Sequence, residues 1–273
     1  MRSLDVRWIH GSESAKHNTD PDIQVHAYDP DTFILRQNKA INYEAPFLYL
    51  LFGADRAVLL DTGATASPEL FPLRRTVDAL IEDWRERNSR PSCELLVLHT
   101  HGHGDHVAGD PQFAGRPATT LVDASLASVQ RFLGLPELGT ARLELGGRPL
   151  ECLHTPGHHD AAVTFFDPST GFLLTGDTVY PGRLYVEDRE AFTASIDRLI
   201  AFTDTRDVTQ LLGCHIEMTT TPGVDYPVRT TYQPDEPPLQ LPPSRLHAIR
   251  AALSEIGDGP GDHPYDDFVI SLE

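Results

Sequence analysis

Four potential metal ligands lie within six residues of this chain, in the run from His101 to His106, which reads His-Gly-His-Gly-Asp-His. Glycines separate the first three of them, and glycine permits the tight bends that turn alternate side chains towards one centre. Neutral imidazole and carboxylate groups are the ligands of zinc and of non-haem iron. The run therefore predicts a loop that wraps a metal, in preference to an ordinary polar surface loop.

Five short apolar runs are each followed by a His or an Asp. Short runs of this kind, bounded by Gly, Pro, Thr or Asp, are typical of buried strands. In layered α/β folds, functional sites are built at the carboxyl ends of the strands. The runs are residues 57–60 before Asp61, 94–98 before His99 and His101, 150–153 before His154 and His158, 172–174 before Asp177, and 210–212 before His215. We expect these strand ends to supply the side chains of a metal site.

Turn residues predict two hairpins, in which residues 47–52 pair with 57–60 and residues 163–166 pair with 172–174. Each hairpin ends at an Asp, which hints at a duplicated half. Apolar residues at helical spacing predict helices over 68–87, 123–132, 189–202 and 244–256. The first of these helices is expected to bury one stripe, which is Leu70, Leu73, Val77, Leu80, Ile81 and Trp84. We expect one domain over residues 1–273, with a core at about 30–220. An ordered Pro-rich loop, the last of these helices and a final strand at 268–272 complete residues 221–273.

The charge balance excludes two classes of partner. The chain has 22 Lys and Arg against 40 Asp and Glu, a formal net charge of −18. Nucleic acids and anionic membranes are both bound through Lys and Arg, so neither is expected here. No stretch approaches the roughly 18–20 apolar residues of a spanning helix, and the first residues lack the apolar core of a signal peptide. We therefore expect a cytoplasmic protein with a small-molecule substrate, and we leave open a homodimer.

The chain resembles the metallo-β-lactamase-fold superfamily, most closely its glyoxalase-II-like hydrolases. The motifs that carry the resemblance occur in the family's order and span about residues 45–220. They are Asp61 in Leu-Leu-Asp-Thr-Gly, the run His101 to His106, His158 in His-Thr-Pro-Gly-His, Asp177 in Thr-Gly-Asp-Thr, and His215. The resemblance implies the α/β class, as a four-layer αββα sandwich with a two-metal site at one edge. It implies little about the substrate, because such folds support many reactions.

The resemblance also implies a ligand set for two Zn²⁺ ions per chain, with Fe or Mn as alternative metals. The first metal is expected to take His101, His103 and His158, and the second Asp105, His106 and His215. Asp177 is the expected bridge between them. Asp61 is expected behind the metals, where it would orient a ligand His or the loop backbone.

Charge and zinc chemistry suggest how such a site would work. Two divalent ions bring four positive charges, and two carboxylates and one hydroxide return three, so the pocket is locally positive. Zinc lowers the pKa of bound water to about 7, which supplies a metal-bound hydroxide at neutral pH to attack a polarised carbonyl. The predicted catalytic residues are Asp105, which would orient the hydroxide, and Asp61. No serine or cysteine nucleophile is needed.

The residues after Asp177 are the candidates for substrate binding. Tyr180, Arg183 and Tyr185 lie in the stretch 178–185, which is expected to be a loop near the metals. Their side chains could hydrogen-bond a substrate oxyanion or carboxylate, and ordinary loop packing is the alternative. His99 and His154 are expected to be strand or packing residues.

The first functional hypothesis is a dinuclear-zinc hydrolase that cleaves an ester, thioester or lactone of a small acyl compound. Glyoxalase II itself matches poorly, because it recognises glutathione through basic C-terminal residues and no Lys follows His215 here. The alternative is a mononuclear-iron oxygenase resembling the persulfide dioxygenase branch, which would use His101, His103 and Asp177. A metal-bound scaffold without activity is a third hypothesis, which no sequence feature favours.

Overall fold

The computed structural model describes residues 2–136, 139–257 and 259–273. These residues divide into two compact units. The first unit comprises Met1–Ala124, Glu144–Arg148 and Arg229–Pro234, and the second comprises Ser125–Leu143, Pro149–Val228 and Asp235–Glu273. The single domain expected over residues 1–273 stays a prediction.

The first unit is built on a six-stranded sheet whose strands follow chain order. Its strands are β1 (Ile23–Asp29), β2 (Thr32–Gln37), β3 (Phe47–Phe52), β4 (Arg56–Leu60), β5 (Glu94–Leu98) and β6 (Thr119–Leu121). Neighbours are antiparallel from β1 to β4, and β4, β5 and β6 are parallel. The predicted hairpin of β3 and β4 is therefore confirmed, with the run 94–98 as its parallel neighbour.

One helix covers the core of the first unit. Helix α1 (Leu73–Asn88) buries Leu73, Val77, Ile81 and Trp84 at helical spacing, and these side chains belong to the same apolar cluster as residues of β2 to β5. Burial of one such side chain stabilises a fold by about 1.5–3 kcal/mol. The Trp84 ring stacks on Phe52 with 5.2 Å between centroids. A short helix α2 (Gly104–Val107) follows β5 in the chain.

The second unit contains two sheets and three helices. Its larger sheet has the strand order β13-β12-β10-β9-β8-β7, and its smaller sheet the order β11-β15-β14. The strands are β7 (Thr140–Glu144), β8 (Pro149–His154), β9 (Val163–Asp167), β10 (Phe172–Gly176), β11 (Arg183–Val186), β12 (Gln210–Gly213), β13 (Gln240–Leu241), β14 (Gly261–Pro264) and β15 (Val269–Leu272), and the helices are α3 (Leu126–Leu133), α4 (Arg189–Thr203) and α5 (Arg245–Glu255).

Pairing in the larger sheet repeats the pattern of the first unit. Strands β9 and β10 form the predicted antiparallel hairpin, and β12 lies parallel to β10. Helix α4 buries Phe192, Ile196 and Leu199 in the core of this unit. The side chain of Asp188 begins this helix by accepting a hydrogen bond from Ala191 N at 2.9 Å.

Two sequence predictions about local structure were wrong. The helix expected over 68–87 begins only at Leu73, and Leu70, expected on its buried face, is 57% exposed. Pro68 and Pro72 explain the late start, because the residue before a proline is disfavoured in the helical region and proline has no N–H to donate. The stretch 178–185, expected to be a loop, includes β11, which pairs in parallel with β15.

None of the helices in the described part of the chain has the length and apolar character that crossing a bilayer requires. The three cysteines, Cys93, Cys152 and Cys214, are buried and form no disulfide.

Candidate metal centre

The loop after β5 turns two imidazoles towards each other. His101 Nε2 lies 3.0 Å from His103 Nδ1, and the other nitrogen of His101 lies 3.1 Å from Thr100 Oγ1. Two ligands at 2.0–2.2 Å from a tetrahedral zinc are about 3.3–3.6 Å apart, so a small rotation of either ring would accommodate an ion. The glycine at 102 and the start of α2 after His103 produce this turn.

Asp105 and His106 form a second pair of potential ligands in the first unit. Asp105 Oδ2 lies 3.3 Å from His106 Nε2, which matches the separation of two ligands on one zinc ion. His106 is completely buried in α2. Its Nδ1 faces the other way and lies 3.0 Å from Asp61 Oδ2. A hydrogen bond from Nδ1 to this carboxylate leaves the Nε2 lone pair directed towards Asp105.

Asp61 is completely buried directly after β4, in a left-handed backbone conformation with φ of 68°. Its two oxygens accept hydrogen bonds from Thr100 N at 2.7 Å and Thr100 Oγ1 at 2.8 Å, in addition to the contact with His106. This carboxylate therefore contacts both a potential ligand and the backbone of the loop, and its role behind a metal stays a prediction. No sequence pattern had indicated Thr100 as its partner.

Two more polar residues support the same loop. Thr62 N donates to His106 O at 2.8 Å, and Thr62 Oγ1 donates to Asp110 Oδ1 at 2.8 Å. His99, expected in the strand, lies just past its end, with Nε2 3.3 Å from Asp110 Oδ1. A Cβ atom at Gly109 would lie 2.2 Å from Thr62 O, so the close approach of the two chain segments requires glycine there.

In the second unit, one carboxylate oxygen faces two imidazoles. Asp177 Oδ2 lies 3.4 Å from His215 Nε2 and 3.8 Å from His158 Nε2. All three side chains are at least nine-tenths buried. Asp177 directly follows β10 and His215 follows β12, its parallel neighbour, so the pairing of the two strands brings these side chains to one edge of the sheet.

The backbone around His158 fixes its ring. His158 Nδ1 lies 3.0 Å from Tyr185 O in β11, a hydrogen bond that leaves the Nε2 lone pair directed at Asp177. Gly157 O accepts hydrogen bonds from the backbone N–H groups of Glu187 and Asp188, each at 2.9 Å. Gly157 has a φ of 130°, and a Cβ atom there would lie 2.3 Å from the Phe192 backbone. Glycine is therefore required next to this ligand.

The three predicted substrate contacts lie in or next to β11. Tyr180 is 2% exposed, and its hydroxyl donates to Arg183 O and lies 3.2 Å from Glu217 Oε2. The Arg183 guanidinium binds Asp225 and the Tyr226 carbonyl. Tyr180 and Arg183 thus have internal partners, and Tyr185 is partly buried. The substrate contacts expected of all three stay predictions.

Glu217 is the residue at this site for which the sequence carried no signal. Its Oε2 accepts a hydrogen bond from Arg183 N at 2.7 Å. Burial raises the pKa of the Glu217 carboxyl, and nearby His215 and Arg183 oppose the rise. Burial, together with the neighbouring carboxylates of Glu217 and Asp177, raises the pKa of Tyr180 well above its ordinary value, so its hydroxyl remains a hydrogen-bond donor at neutral pH.

Each unit by itself fits part of a divalent-metal site. The first unit pairs His101 with His103 and Asp105 with His106, and the second directs His158 and His215 at the single carboxylate of Asp177. Imidazole nitrogens and carboxylate oxygens are the ligands that zinc and iron prefer. Burial of a carboxylate without a compensating charge is costly, and a cation would offset that cost at Asp177.

Comparison with known proteins identifies the family. The family model of the metallo-β-lactamase superfamily matches residues 44–122 and 122–215. The hydroxyacylglutathione hydrolase of Rhizobium meliloti (strain 1021) is 29% identical over 152 residues, which cover 52% of this chain and 55% of that protein. The enzyme of the same name from Synechococcus sp. (strain JA-2-3B'a(2-13)) is 30% identical over 159 residues, 56% of this chain and 58% of that protein.

Solved structures agree on the fold. A metallo-β-lactamase from Pontibacter korlensis superposes with a TM-score of 0.56 at 16% identity, over 86% of this chain and all of that one. The chain spans about half the length of the curated relatives it matches. The expected α/β class is confirmed, since the described residues form mixed sheets with helices. From the family match and this likeness of fold, the chain belongs to the metallo-β-lactamase superfamily, with hydroxyacylglutathione hydrolases among its relatives.

Proposed function

We propose that this protein is a metal-dependent hydrolase with two zinc ions that cleaves an ester, thioester or lactone of a small acyl compound. The observation that carries the proposal is the placement of Asp177 Oδ2 within 3.8 Å of the Nε2 atoms of both His158 and His215. One carboxylate oxygen facing two buried imidazoles is an arrangement expected of metal ligands.

The relatives favour a thioester among the three substrate classes. The curated proteins that match are named hydroxyacylglutathione hydrolase, and their substrate is a thioester. We propose the same bond class here and leave the acyl group and the thiol open. The formal charge of −18 supports a small-molecule substrate over nucleic acid. The cytoplasmic location and a homodimer stay predictions.

The proposed ligands follow the family pattern. His101, His103 and His158 would hold one metal, Asp105, His106 and His215 the other, and Asp177 both. When bound, zinc lowers the pKa of a coordinated water to about 7 and polarises a carbonyl group.

The chain's own residues have distinct tasks in this proposal. Asp105 supplies a carboxylate that can accept a proton from water. Asp61 holds His106 in the tautomer whose Nε2 is a ligand, through the 3.0 Å contact at Nδ1. The carbonyl of Tyr185 does the same for His158. Tyr185, which is only partly buried, is the most accessible of the three candidates for a substrate contact.

Metal analysis and a substrate panel test the proposal together. The purified protein is analysed for metal content as isolated, and again after reconstitution with zinc and removal of unbound metal. It is then assayed with thioesters, lactones and aryl esters. We expect two zinc ions per chain and the highest kcat/KM on a thioester. One iron per chain with thiol-dependent oxygen uptake would support the iron oxygenase instead. Metal binding without turnover on any substrate of the panel would support a scaffold.

A further inference from the structure

Glu217 follows the proposed ligand His215 and contacts the segment 180–183 that links Asp177 to β11. It lies two residues after His215, and its backbone N–H donates to Pro181 O at 2.8 Å. Its carboxylate reaches Tyr180, which lies three residues after Asp177, and Arg183, which begins β11. Strand β11 also contains Tyr185, whose carbonyl holds His158.

The contact with Tyr180 connects Glu217 to the Asp177 segment. The Tyr180 hydroxyl has one proton, directed at Arg183 O, with Glu217 Oε2 at 3.2 Å. The Tyr180 ring packs edge-on against the His215 ring, with 5.6 Å between centroids. A shift of the Glu217 carboxylate would therefore move a ring that is packed on a ligand.

The contact with Arg183 connects Glu217 to His158. The Arg183 N–H donates to Glu217 Oε2 at 2.7 Å, and the Arg183 guanidinium lies 3.9 Å from Oε1. The guanidinium is also bound by Asp225, which holds the side chain from the other direction. Because β11 has only four residues, fixing Arg183 fixes the Tyr185 carbonyl two positions later.

The local packing leaves little freedom for this arrangement. A Cβ atom at Gly182 would lie 2.2 Å from the Tyr180 ring and 2.8 Å from Glu217 Oε2. A Cβ atom at Gly213 would lie 2.4 Å from Tyr180 Cβ. The turn between Tyr180 and Arg183 thus closes around Oε2 of the Glu217 carboxylate.

We propose that Glu217 is a positioning residue, whose carboxylate fixes the segments of Asp177, His215 and His158 relative to one another so that the three can share one metal centre. The proposal rests on the function proposed above. Glu217 itself is not a ligand in it. Residues that orient metal ligands contribute about 10–100-fold to metal affinity.

Zinc affinity, measured by competition with a chromogenic chelator, tests this role. We expect Glu217→Ala to weaken zinc binding about 10–100-fold. Glu217→Gln keeps a carbonyl oxygen for the Arg183 N–H and the Tyr180 hydroxyl, so it should restore the affinity to within about threefold of the unaltered protein. The matched controls are Glu255→Ala and Glu255→Gln, at an exposed position near the end of α5, which should change nothing.

Several outcomes would overturn the proposal. Wild-type affinity in a folded Glu217→Ala variant would remove any positioning role, and an equal loss in the Ala and Gln variants would show that charge alone matters. If the Glu217→Ala variant does not fold, the Tyr180→Phe variant is measured in its place, because that substitution removes only a hydroxyl group. We expect severalfold weaker zinc binding for that variant, and unchanged binding would count against us. Failure of the unaltered protein to bind zinc would instead refute the proposed function.

Discussion

The two units use the same pairing of strands to place an aspartate, and the two aspartates have different surroundings. In the first unit the hairpin of β3 and β4 leads to Asp61, and β5 lies parallel to β4. In the second unit the hairpin of β9 and β10 leads to Asp177, and β12 lies parallel to β10. In each unit, a histidine that follows the parallel strand contacts the aspartate. His106 contacts Asp61, and His215 contacts Asp177.

The second residue after the parallel strand makes the difference. Two positions after β5 lies Thr100, whose N–H and hydroxyl both donate to Asp61, so this carboxylate is satisfied by the protein. After β12 comes His215, which presents Nε2 to Asp177 at 3.4 Å. One backbone arrangement therefore delivers a carboxylate in both units, and its neighbours determine whether it supports a ligand or becomes one. This similarity agrees with the duplicated half suggested by the sequence.

Replacement of Asp177 by Asn should have the largest effect in this comparison. Asp177 is the proposed shared ligand, and an amide supplies no negative charge to offset two cations. We expect kcat/KM on a thioester to fall by more than about 100-fold, beyond the range of a residue that only orients ligands. Without metal, the variant should unfold at the same temperature as the unaltered protein or at a higher one, because the substitution removes a buried charge. A loss of activity below tenfold would refute its role as a bridge.

Compared with the replacement of Asp177, replacement of Asp61 by Asn should have a smaller effect on the metal centre and a larger effect on the unfolding free energy of the metal-free protein. The oxygen of the new amide can still accept a hydrogen bond from Thr100. Its NH2 group, however, then faces a hydrogen-bond donor of either Thr100 or His106. We expect zinc affinity to fall about 10–100-fold and the metal-free protein to lose about 1–3 kcal/mol of unfolding free energy. Calorimetry and chelator competition would measure the two. Asp83→Asn, at an exposed position on α1, is the control and should match the unaltered protein.

Removal of metal should destabilise the protein moderately. An ion that binds only the folded state at 100 times its dissociation constant adds about 2.7 kcal/mol to the unfolding free energy. We therefore expect the thermal midpoint to fall on addition of a chelator and to recover with added zinc. In the Asp177→Asn variant the same treatment should shift the midpoint much less. Equal shifts in both proteins would show that the stabilising ion is not bound at Asp177.

The smallest effect concerns thiol reactivity, which reports on the opening of each unit. Burial raises the pKa of Cys152, in the second unit, to about 12, and Cys93, in the first, is raised for the same reason. At pH 8 a folded Cys152 would carry about a thousandth of the thiolate of an exposed cysteine, so it should react with a thiol reagent only after unfolding. Above about pH 9 the unfolded thiol ionises while the folded one stays protonated, so this group lowers stability as pH rises.

Mass spectrometry after timed labelling with iodoacetamide would identify which cysteine reacts. Cys93 should react before Cys152, because Cys93 is 6% exposed and Cys152 is completely buried. Rapid labelling of Cys152 in the folded protein would contradict its burial in the second unit.

The sequence predicted the parts of the site that depend on local pattern. The runs before Asp61, His101, Asp177 and His215 are continuous apolar strands, and such runs are readable without knowledge of their partners. Strand β11 was missed because it has only four residues and is stabilised by pairing with β15, which lies far along the chain. Leu70 was predicted to lie in the core because it continues the helical spacing of the apolar residues after it. The helix, however, begins only after Pro72.

The supporting residues of the site could not be predicted in the same way. Thr100 and Glu217 belong to no motif, and their roles depend on hydrogen bonds to Asp61 and Arg183, partners 39 and 34 residues away. Arg183 and Tyr180 were expected to contact substrate because their residue types suit an oxyanion. Their burial depends on Glu217 and Asp225, which lie later in the chain.

The metal content of the protein, reloaded with excess zinc and then freed of unbound metal, tests the central claim most directly. We predict two zinc ions per chain for the unaltered protein and for Asp61→Asn at saturating zinc, and fewer for Asp177→Asn. An unaltered protein that retains no divalent ion, or an Asp177→Asn variant that retains as many as the unaltered protein, would contradict the account.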